Sequence, residues 1–454
     1  MFKTWQSITL WKRVLIGLAI GVVAGLALRH LMPEAVADDG TTITGIERAT
    51  EVANTWIKPW GDAFIRLIRM LIIPLIVTTL IAGVTAMGDP KKLGSLGART
   101  MALYLLTTFF AVSLGLFMGT IIKPGQGVNY QEAGEDALEA VKGKIETASE
   151  AGTIVERLLE IIPTNPVQAL ASGDVLATIF FALVIGIGIL VAGKIADPVR
   201  AFFDSAAIVV MKVTMIVMEL APLGVLALMA WVMATKGIEV LRNLFWLALA
   251  LYLACIVQIV LIYGLLIVKF ILRLPMMQFF KGVLDAQGVA FSTASSSATL
   301  PVTISCAEKN LGVDKSVAGS VLPLGATINM DGTAIYLGLV ALFAAQAGGI
   351  SLTPTQYIMV ALTATLVSIG AAGIPSAGLL LAATVLEVVG VTEGQALLVI
   401  AFIFPFDRLL DMMRTLTNVT GDLSVACTVA KWEGSLNEEI FRAETEKITG
   451  DPTS

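Results

Sequence analysis

The sequence predicts an all-α membrane protein, and three features support that fold class. Of its 454 residues 56% are hydrophobic and only 14% are charged, whereas soluble domains carry about 25% charged residues; the mean hydropathy is +0.85. Apolar runs long enough to cross a bilayer recur as far as Leu272. From Met276 onward the apolar runs are shorter and are interrupted by Gly, Pro, Ser and Thr.

The first half of the chain is interpreted as six membrane spans. They are Val14–Leu28, Trp56–Met87, Thr100–Ile122, Val167–Ala192, Ala206–Ala234 and Leu244–Leu272. The protein is expected in the cell (inner or plasma) membrane. The bias of Lys and Arg towards alternate loops predicts that both termini lie in the cytoplasm. The polar stretch Lys123–Thr164 has eight acidic and four basic residues, which predicts a solvated outer loop.

The second half contains a repeated pattern. Two short apolar arms flank a small-residue stretch in Met276–Glu308 and again in Pro354–Val389, and each unit precedes a span that carries polar residues. We interpret the two units as re-entrant hairpins, called the first and second hairpin. Non-helical backbone at membrane depth is tolerated only where it is buried in protein or lines a cavity, and such interruptions at matching places indicate a transport site.

The last span carries a ridge of charged and amide side chains. On a helix these residues share one face, because they step by three or four: Asp407, Asp411, Arg414, Asn418 and Asp422. One charged residue facing lipid at the bilayer centre costs about 2.5–3.5 kcal/mol. The ridge is therefore expected to face a wet pocket for a small anionic or zwitterionic solute and cations, shared with the two hairpin tips.

Two polar residues interrupt the preceding span, Val317–Ala345. Asn329 and Asp331 lie beside Gly332, and unwinding near Gly332 would free carbonyls next to a carboxylate and an amide. Such an all-oxygen environment suits a hard cation. Transition metals are disfavoured because neither thiolate nor imidazole is close; the one histidine is His30, and the three cysteines are isolated.

Asp411 and Arg414 have two interpretations that the spacing leaves open. They are either a structural ion pair, or Asp411 binds a substrate ammonium while Arg414 binds a substrate carboxylate. The run Ser295–Ser297 is similarly open: it either allows close helix packing or offers hydroxyl and backbone N–H groups to a carboxylate.

Four motifs in order resemble the dicarboxylate/amino acid:cation symporters, the family of the excitatory amino acid transporters and archaeal sodium–aspartate symporters. They are Ser-Ser-Ser-Ala-Thr-Leu-Pro (295–301), Asn-Met-Asp-Gly-Thr (329–333), Gly-Ile-Pro-Ser-Ala-Gly (373–378) and Asp-Met-Met-Arg-Thr-Leu-Thr-Asn-Val-Thr-Gly-Asp (411–422). The resemblance implies eight transmembrane helices plus two re-entrant hairpins, inverted repeats, a homotrimer and an elevator-type mechanism. It assigns residues 1–99 and 165–237 to the scaffold, the second of these to trimerisation. Residues 100–164 comprise the third span, which belongs to the transport domain, and the outer acidic loop. The rest of the transport domain comprises residues 238–432, and the cytoplasmic tail comprises residues 433–454.

The resemblance also implies the substrate-binding residues. Arg414 would bind the substrate side-chain carboxylate and Asp411 its amino group. The remaining implied substrate-binding residues are Ala294, Ser295, Ser296, Thr333, Ile374, Gly378, Thr415 and Asn418.

Three sodium sites are implied by the same resemblance. The first would use Asp422, Asn418, Asn329 and the backbone of Gly325. The second would use Asp331, Tyr104, Thr107 and Thr108 with Asn329. The third would use the backbone of Thr327, Ser368 and Ile369.

The chain departs from the family at one arginine. Family members tend to have an extra arginine where this chain has Ala294 or Met412. Arg408 follows Asp407 instead, about 100° around the helix, and is therefore not expected to replace that charge.

The function expected from this reading is sodium-coupled import of an acidic amino acid, L-aspartate or L-glutamate, with sodium as the coupling ion and no resident cofactor or nucleic-acid partner. The alternatives are a proton-coupled glutamate or C4-dicarboxylate symporter of the same fold and a passive anion channel. An intramembrane serine hydrolase built on Ser295–Ser297 has no suitable histidine and would have to use Lys281 or Lys309 as its base. Both lysines are interpreted as inner-loop residues, so no enzyme is expected.

Overall fold

The computed structural model describes residues 10–36, 42–85, 97–128, 162–371 and 376–443. These residues are mainly helical, with one short antiparallel pair, β1 (Ala35–Val36) and β2 (Thr42–Ile43). The helices as far as the sixth predicted span are α1 (Leu10–Leu31), α2 (Gly45–Val52), α3 (Lys58–Thr85), α4 (Ala98–Ile122), α5 (Pro166–Ser172), α6 (Val175–Ala192), α7 (Asp197–Met218), α8 (Ala221–Lys236) and α9 (Glu239–Val257). The later helices are α10 (Met276–Thr293), α11 (Ser296–Lys309), α12 (Lys315–Ile328), α13 (Asp331–Ala347), α14 (Pro354–Ile369), α15 (Ala377–Val388), α16 (Glu393–Trp432) and α17 (Glu438–Arg442).

Three shorter segments connect or extend these helices. The wide-turned π-helical segments are Ala53–Ile57, between α2 and α3, and Gln258–Ile271, which continues α9. A 3-10 turn, Gly193–Ala196, joins α6 to α7.

Six helical stretches among the described residues are long and apolar enough to cross a membrane. They are Lys12–Leu31, Gly45–Thr85, Arg99–Ile122, Val175–Met218, Leu241–Ile271 and Lys315–Ala347. This agrees with the predicted class of helical membrane protein, while the total of eight spans stays a prediction.

The first hairpin comprises α10 and α11, which pack against each other. The chain turns at Ala294, whose φ of 50° is left-handed, and at Ser295, whose hydroxyl accepts a hydrogen bond from the N–H of Ala298 and so caps α11. The second hairpin comprises α14 and α15, which also contact each other. Re-entry of the two hairpins into a membrane stays a prediction.

The seventh predicted span is two helices, α12 and α13. Asp314 caps α12, and hydrogen bonds from Ser316 lower the pKa of its carboxyl group. The helix is interrupted at Asn329 and Met330, which agrees with the unwinding expected near Gly332, while Gly332 itself lies in the first turn of α13.

Because Gly332 has no side chain, α13 can pack closely against the final helix, α16. A side-chain carbon built there would lie only 2.6 Å from the Cα of Arg414 on α16.

The predicted span Ala206–Ala234 is wrong as a single element. The structure has α7 and α8 with a break at Glu219 and Leu220. Pro222 lies in the first turn of α8, where its missing N–H is tolerated. Glu219 at the break receives a 2.6 Å hydrogen bond from Nη1 of the buried Arg13.

Three glycines bring α1 against α8. Gly17, Gly21 and Gly25 repeat every four residues on one face of α1. Side-chain carbons built at Gly21 and Gly25 would lie 2.9 Å from the Cβ of Met229 and 2.6 Å from the Cβ of Met233. Small residues at this spacing let two apolar helices approach closely, and α1 and α8 form the largest helix contact among the described residues.

The final helix, α16, is continuous from Glu393 to Trp432 and begins with a capping box in which Thr392 and Gln395 bond reciprocally. It contacts both hairpins, α9, α12, α13 and the segment Gln258–Ile271. The polar ridge therefore lies inside the protein.

Candidate functional site

All five residues of the ridge are buried, each with at most 5% of its surface exposed. Arg414 is the most enclosed and has no exposed surface. Lipid does not reach these groups in the described structure, so their charges are compensated by protein groups or by a ligand.

Arg414 is only partly satisfied by the protein. Its Nη2 atom donates to Asp407 Oδ1 at 2.9 Å and to Asp411 Oδ1 at 2.8 Å, and the guanidinium carbon lies 4.1 Å from the ring centre of Tyr336. Its Nε and Nη1 atoms are buried without a hydrogen-bond partner, as are the Tyr336 hydroxyl and Asp407 Oδ2. Both interpretations of the Asp411–Arg414 pair therefore retain support: the ion pair forms, and two guanidinium nitrogens remain for another group.

Unpaired guanidinium N–H groups are costly to bury, about 1–3 kcal/mol or more for each hydrogen bond that is missing. A carboxylate would supply the missing acceptors, and arginine binds carboxylates through two nitrogens at once. A side-chain carbon at Gly378 would lie 3.2 Å from Arg414 Nη1 and 2.8 Å from Thr333 Cγ2. The structure thus brings together Arg414, Thr333 and Gly378, as the resemblance implied.

Asp411 also holds the second hairpin. Its Oδ2 atom accepts a 2.7 Å hydrogen bond from the backbone N–H of Ser376, which sequence reasoning did not identify. Ser376 has a left-handed φ of 64° and directly precedes α15. Ile374, at the tip of this hairpin, lies outside the described residues.

The other substrate residues predicted on the final helix are bonded to the protein. Thr415 donates to the carbonyl of Asp411 at 2.8 Å. Asn418 accepts a 2.7 Å hydrogen bond from the N–H of Gly332 and donates to Met330 Sδ at 3.2 Å. Asn418 therefore supports the helix break at 329–330.

The tip of the first hairpin is close to the final helix. Ala294, Ser295 and Ser296 are buried, and Nη2 of Arg408 donates to the carbonyl of Thr293 at 2.9 Å. The long side chain of Arg408 therefore reaches the backbone adjacent to Ala294, although its Cα is rotated away from the ridge; that it does not replace the family's arginine stays a prediction.

One group of oxygen atoms surrounds Asp422. Its Oδ1 atom accepts a 2.9 Å hydrogen bond from Asn329 Nδ2. A side-chain carbon at Gly325 would lie 2.5 Å from both Asp422 Oδ1 and the Tyr104 hydroxyl, so glycine is needed for this close approach. Three of the four residues predicted for the first sodium site, Asp422, Asn329 and Gly325, are therefore adjacent.

A second group surrounds Asp331, which is completely buried. Its carboxylate accepts hydrogen bonds from Thr108 Oγ1 at 2.6 Å and from the hydroxyl of Tyr263. Thr107 Oγ1 lies 3.3 Å from Asn329 Oδ1.

Tyr104, predicted for this second site, bonds elsewhere: its hydroxyl donates to the carbonyl of Val321 at 3.0 Å. Tyr263 was not predicted. The available signal was its position among the few polar residues of the apolar stretch Leu244–Leu272.

The residues predicted for the third sodium site lie at helix ends. Thr327 is near the end of α12, and Ser368 and Ile369 end α14, which contacts α12. The hydroxyls of Thr327 and Ser368 bond within their own helices, which leaves the predicted backbone carbonyls as the candidate ligands.

The donor set around Asp331 and Asp422 fits a hard cation. It consists of carboxylate, amide and hydroxyl oxygens, the ligands that such cations prefer. Among the described residues there is no cluster of three or more His, Cys, Asp and Glu of the kind that holds a metal ion.

Comparison with known proteins identifies the family. The family model described as the sodium:dicarboxylate symporter family matches residues 10–432. The chain is 36% identical over 437 residues to the proton/sodium-glutamate symport protein of Bacillus subtilis (strain 168), with 96% of each chain covered. It is 32% identical over 453 residues to the C4-dicarboxylate transport protein of Rhodopseudomonas palustris (strain BisB18), covering 99% of this chain and 93% of that protein.

A second relative from Bacillus subtilis (strain 168), the proton/glutamate-aspartate symporter, is 33% identical over 440 residues, covering 96% of this chain and 98% of that protein. With its apolar helices, the match makes this a multi-pass membrane protein of a transporter family. The chain belongs to the sodium:dicarboxylate symporter family.

Proposed function

We propose that the protein is a sodium-coupled symporter that imports an acidic amino acid, L-aspartate or L-glutamate. The observation that carries this proposal is the buried Arg414 guanidinium, whose Nε and Nη1 atoms lack partners while Nη2 is bonded to two aspartates. The substrate side-chain carboxylate would bind to the two free nitrogens.

The amino group of the substrate would bind Asp411. This carboxylate lies beside Arg414 and bonds to the second hairpin through Ser376, so a substrate ammonium there would compete with the protein's own donors. A succinate-like dianion would be repelled by the same carboxylate. Asp411 therefore favours an amino acid over a C4-dicarboxylate.

Sodium is the coupling ion in this proposal. Asp331 and Asp422 are buried with neutral hydroxyl and amide donors around them. Among the described residues, neither carboxylate has a cationic side chain as its hydrogen-bonding partner. Two such carboxylates near the substrate site suit cations that enter with the substrate.

The proposed architecture has eight transmembrane helices, two re-entrant hairpins and an elevator mechanism. In support, α3 packs against α6, α7 and α8 while the final helix packs against the hairpins and α13, which agrees with a scaffold (1–99, 165–237) and a transport domain (mainly 238–432). The exposed apolar residues of α7, including Phe202, Ile208 and Ile216, would face lipid or the other subunits of the proposed homotrimer. Both termini would be cytoplasmic.

The runner-up is proton-coupled transport of glutamate or a C4-dicarboxylate. It is favoured by two relatives, which are a proton/sodium-glutamate symport protein and a C4-dicarboxylate transport protein.

Reconstitution into proteoliposomes separates the two. Uptake of labelled L-aspartate is measured under an imposed sodium or proton gradient, with L-glutamate and succinate as competitors. We expect a sodium gradient to drive accumulation and L-glutamate to compete better than succinate. Uptake indifferent to sodium, or driven by protons alone, would contradict sodium coupling; uptake that never exceeds equilibration would indicate a channel.

A further inference from the structure

Arg408 connects the final helix, α16, to the tip of the first hairpin. Its Nη2 atom donates to the backbone carbonyl of Thr293, the last residue of α10, at 2.9 Å. Its Nε and Nη1 atoms are buried and have no hydrogen-bond partner among the described residues. A charged donor gives a stronger hydrogen bond than a neutral one, so the contact with Thr293 helps to hold the hairpin tip on α16.

Thr293 is bonded to the rest of the tip. Its hydroxyl oxygen accepts a 3.3 Å hydrogen bond from the N–H of Ser295, and Ser295 Oγ accepts one from the N–H of Ala298 at 3.2 Å. The chain passes between them through Ala294, whose left-handed φ persists only where the surrounding structure holds it. The position of Thr293 therefore influences the turn that carries Ser295 and Ser296.

The same helix holds the second hairpin through a residue one turn away. Asp411 Oδ2 accepts a hydrogen bond from the backbone N–H of Ser376 at 2.7 Å, and Asp411 follows Arg408 by three residues. The first contact joins a cation to a backbone carbonyl, and the second joins a carboxylate to a backbone N–H. Two oppositely charged side chains of one helical turn therefore each hold the backbone of one hairpin.

We propose that Arg408 is a positioning residue for substrate binding, which holds the tip of the first hairpin closed on α16 and so keeps Ser295 and Ser296 in place. The role in substrate binding rests on the proposed function, in which these two serines contact the amino acid. The contact is also reversible, because Nε and Nη1 are shielded from water in the closed arrangement without gaining an acceptor, which favours opening.

Hydrogen exchange measures local opening of the tip. The purified full-length protein is exchanged in sodium-free choline buffer without amino acid, and the peptide 289–299 is followed by mass spectrometry. Arg408→Met keeps a long side chain but lacks the donor, and we expect its tip amides to exchange about tenfold faster or more, because a hydrogen bond to a charged group is lost. Arg408→Lys retains a cationic donor and should exchange close to the wild type.

Two controls separate a local effect from a general loss of stability. Arg99→Met removes an exposed arginine whose Nη1 atom lies 2.7 Å from Glu433 Oε1, and exchange at the tip should not change. The peptide 379–388, within α15 of the second hairpin, should exchange equally in every variant. If Arg408→Met does not fold, Arg408→Gln, whose side chain is shorter, is compared with Arg408→Lys: faster exchange in Gln alone supports the contact, and equal exchange overturns it.

The substrate role is tested by the Kd for labelled L-aspartate in sodium. When the tip is open in most molecules, the apparent Kd rises in inverse proportion to the closed fraction. We expect a rise of about 3–10-fold in Arg408→Met and recovery in Arg408→Lys.

Wild-type exchange at the tip of Arg408→Met would overturn the inference, as would an equal acceleration in the peptide 379–388 or in Arg99→Met. Faster exchange at the tip with an unchanged Kd would overturn the role in substrate binding. A wild-type protein that binds no L-aspartate in sodium would instead refute the proposed function, and the exchange comparison would still decide whether Arg408 holds the tip.

Discussion

The two ends of the polar ridge on the final helix lack different partners. At the end near Arg414, a buried guanidinium has two N–H groups without acceptors. At the other end, Asp422 is held by the neutral amide of Asn329, and Asp331 by neutral hydroxyls. One end is suited to bind an anionic group and the other to bind cations.

The difference explains why one helix carries both charges. At the Arg414 end the guanidinium is paired with Asp407 and Asp411 but keeps buried N–H groups without acceptors. Asp331 and Asp422, in contrast, are held by neutral donors. Both conditions are unfavourable at membrane depth.

A bound carboxylate would supply the missing acceptors, and bound cations would neutralise Asp331 and Asp422. The two ends are connected by α13, because Gly332 bonds to Asn418 and Asp331 begins the same helix. If the two ends bind different ligands, substitutions at one end should impair substrate binding and substitutions at the other should impair sodium binding.

Arg414→Cys should abolish uptake of L-aspartate, by a factor of about 10⁴ or more, because a site built around a buried polar group rejects ligands that no longer match it. The variant should admit a small neutral amino acid. Uptake of both labelled substrates into proteoliposomes measures this, with Arg442→Cys, in an exposed pair with Glu438, as the control. Unchanged aspartate affinity in Arg414→Cys would remove the assigned role.

Asp331→Asn should leave the anion end intact and weaken sodium binding by at least about 100-fold, beyond the upper limit typical of residues that only support a ligand. The measurement is the sodium concentration that half-saturates binding of labelled L-aspartate. Asp204→Asn, in an exposed pair on α7, should behave as the wild type. A sodium requirement unchanged by Asp331→Asn would disprove a cation site there.

Gly332→Ala should disturb the link between the two ends. The added carbon would lie 2.6 Å from the Cα of Arg414, and overpacking of this kind lowers the free energy of unfolding by about 1–3 kcal/mol. Thermal unfolding and aspartate binding should both be impaired. Gly319→Ala on α12 has open space around its added carbon and should lose neither; equal results for the two glycines would refute the close contact.

Gly21→Ala should affect stability alone. Its added carbon would meet Leu226 O at 2.7 Å in the α1–α8 contact, and we expect a loss of about 1 kcal/mol in the free energy of unfolding. Gly188→Ala on α6, with no atom within 4 Å, is the control. A change in the sodium requirement for aspartate binding would show that this contact is not separate from the site.

The sequence was sufficient to predict the helical class and the enclosure of the charged residues inside the protein, because charges inside apolar spans must be compensated. Asp331, Arg414 and Asp422 stand out for that reason alone. Tyr263 and Ser376 were not identified, because hydropathy does not reveal which polar residues from different helices meet.

Packing details were also beyond sequence periodicity. The break at Glu219–Leu220 lies inside a mainly apolar run, and in the sequence only Glu219 and Pro222 mark it. Unwinding was predicted near Gly332, but the close contact of Gly332 itself with the final helix was not. Both positions depend on a neighbouring helix that the local sequence does not specify.

The most direct test of the account is the sodium dependence of substrate affinity in the purified wild-type protein. The Kd for L-aspartate is measured at increasing sodium, with choline maintaining the ionic strength, and the sodium affinity is measured with and without L-aspartate. The two ends of the ridge predict that each ligand tightens the binding of the other by the same factor. The same Kd in sodium and in choline would contradict the account.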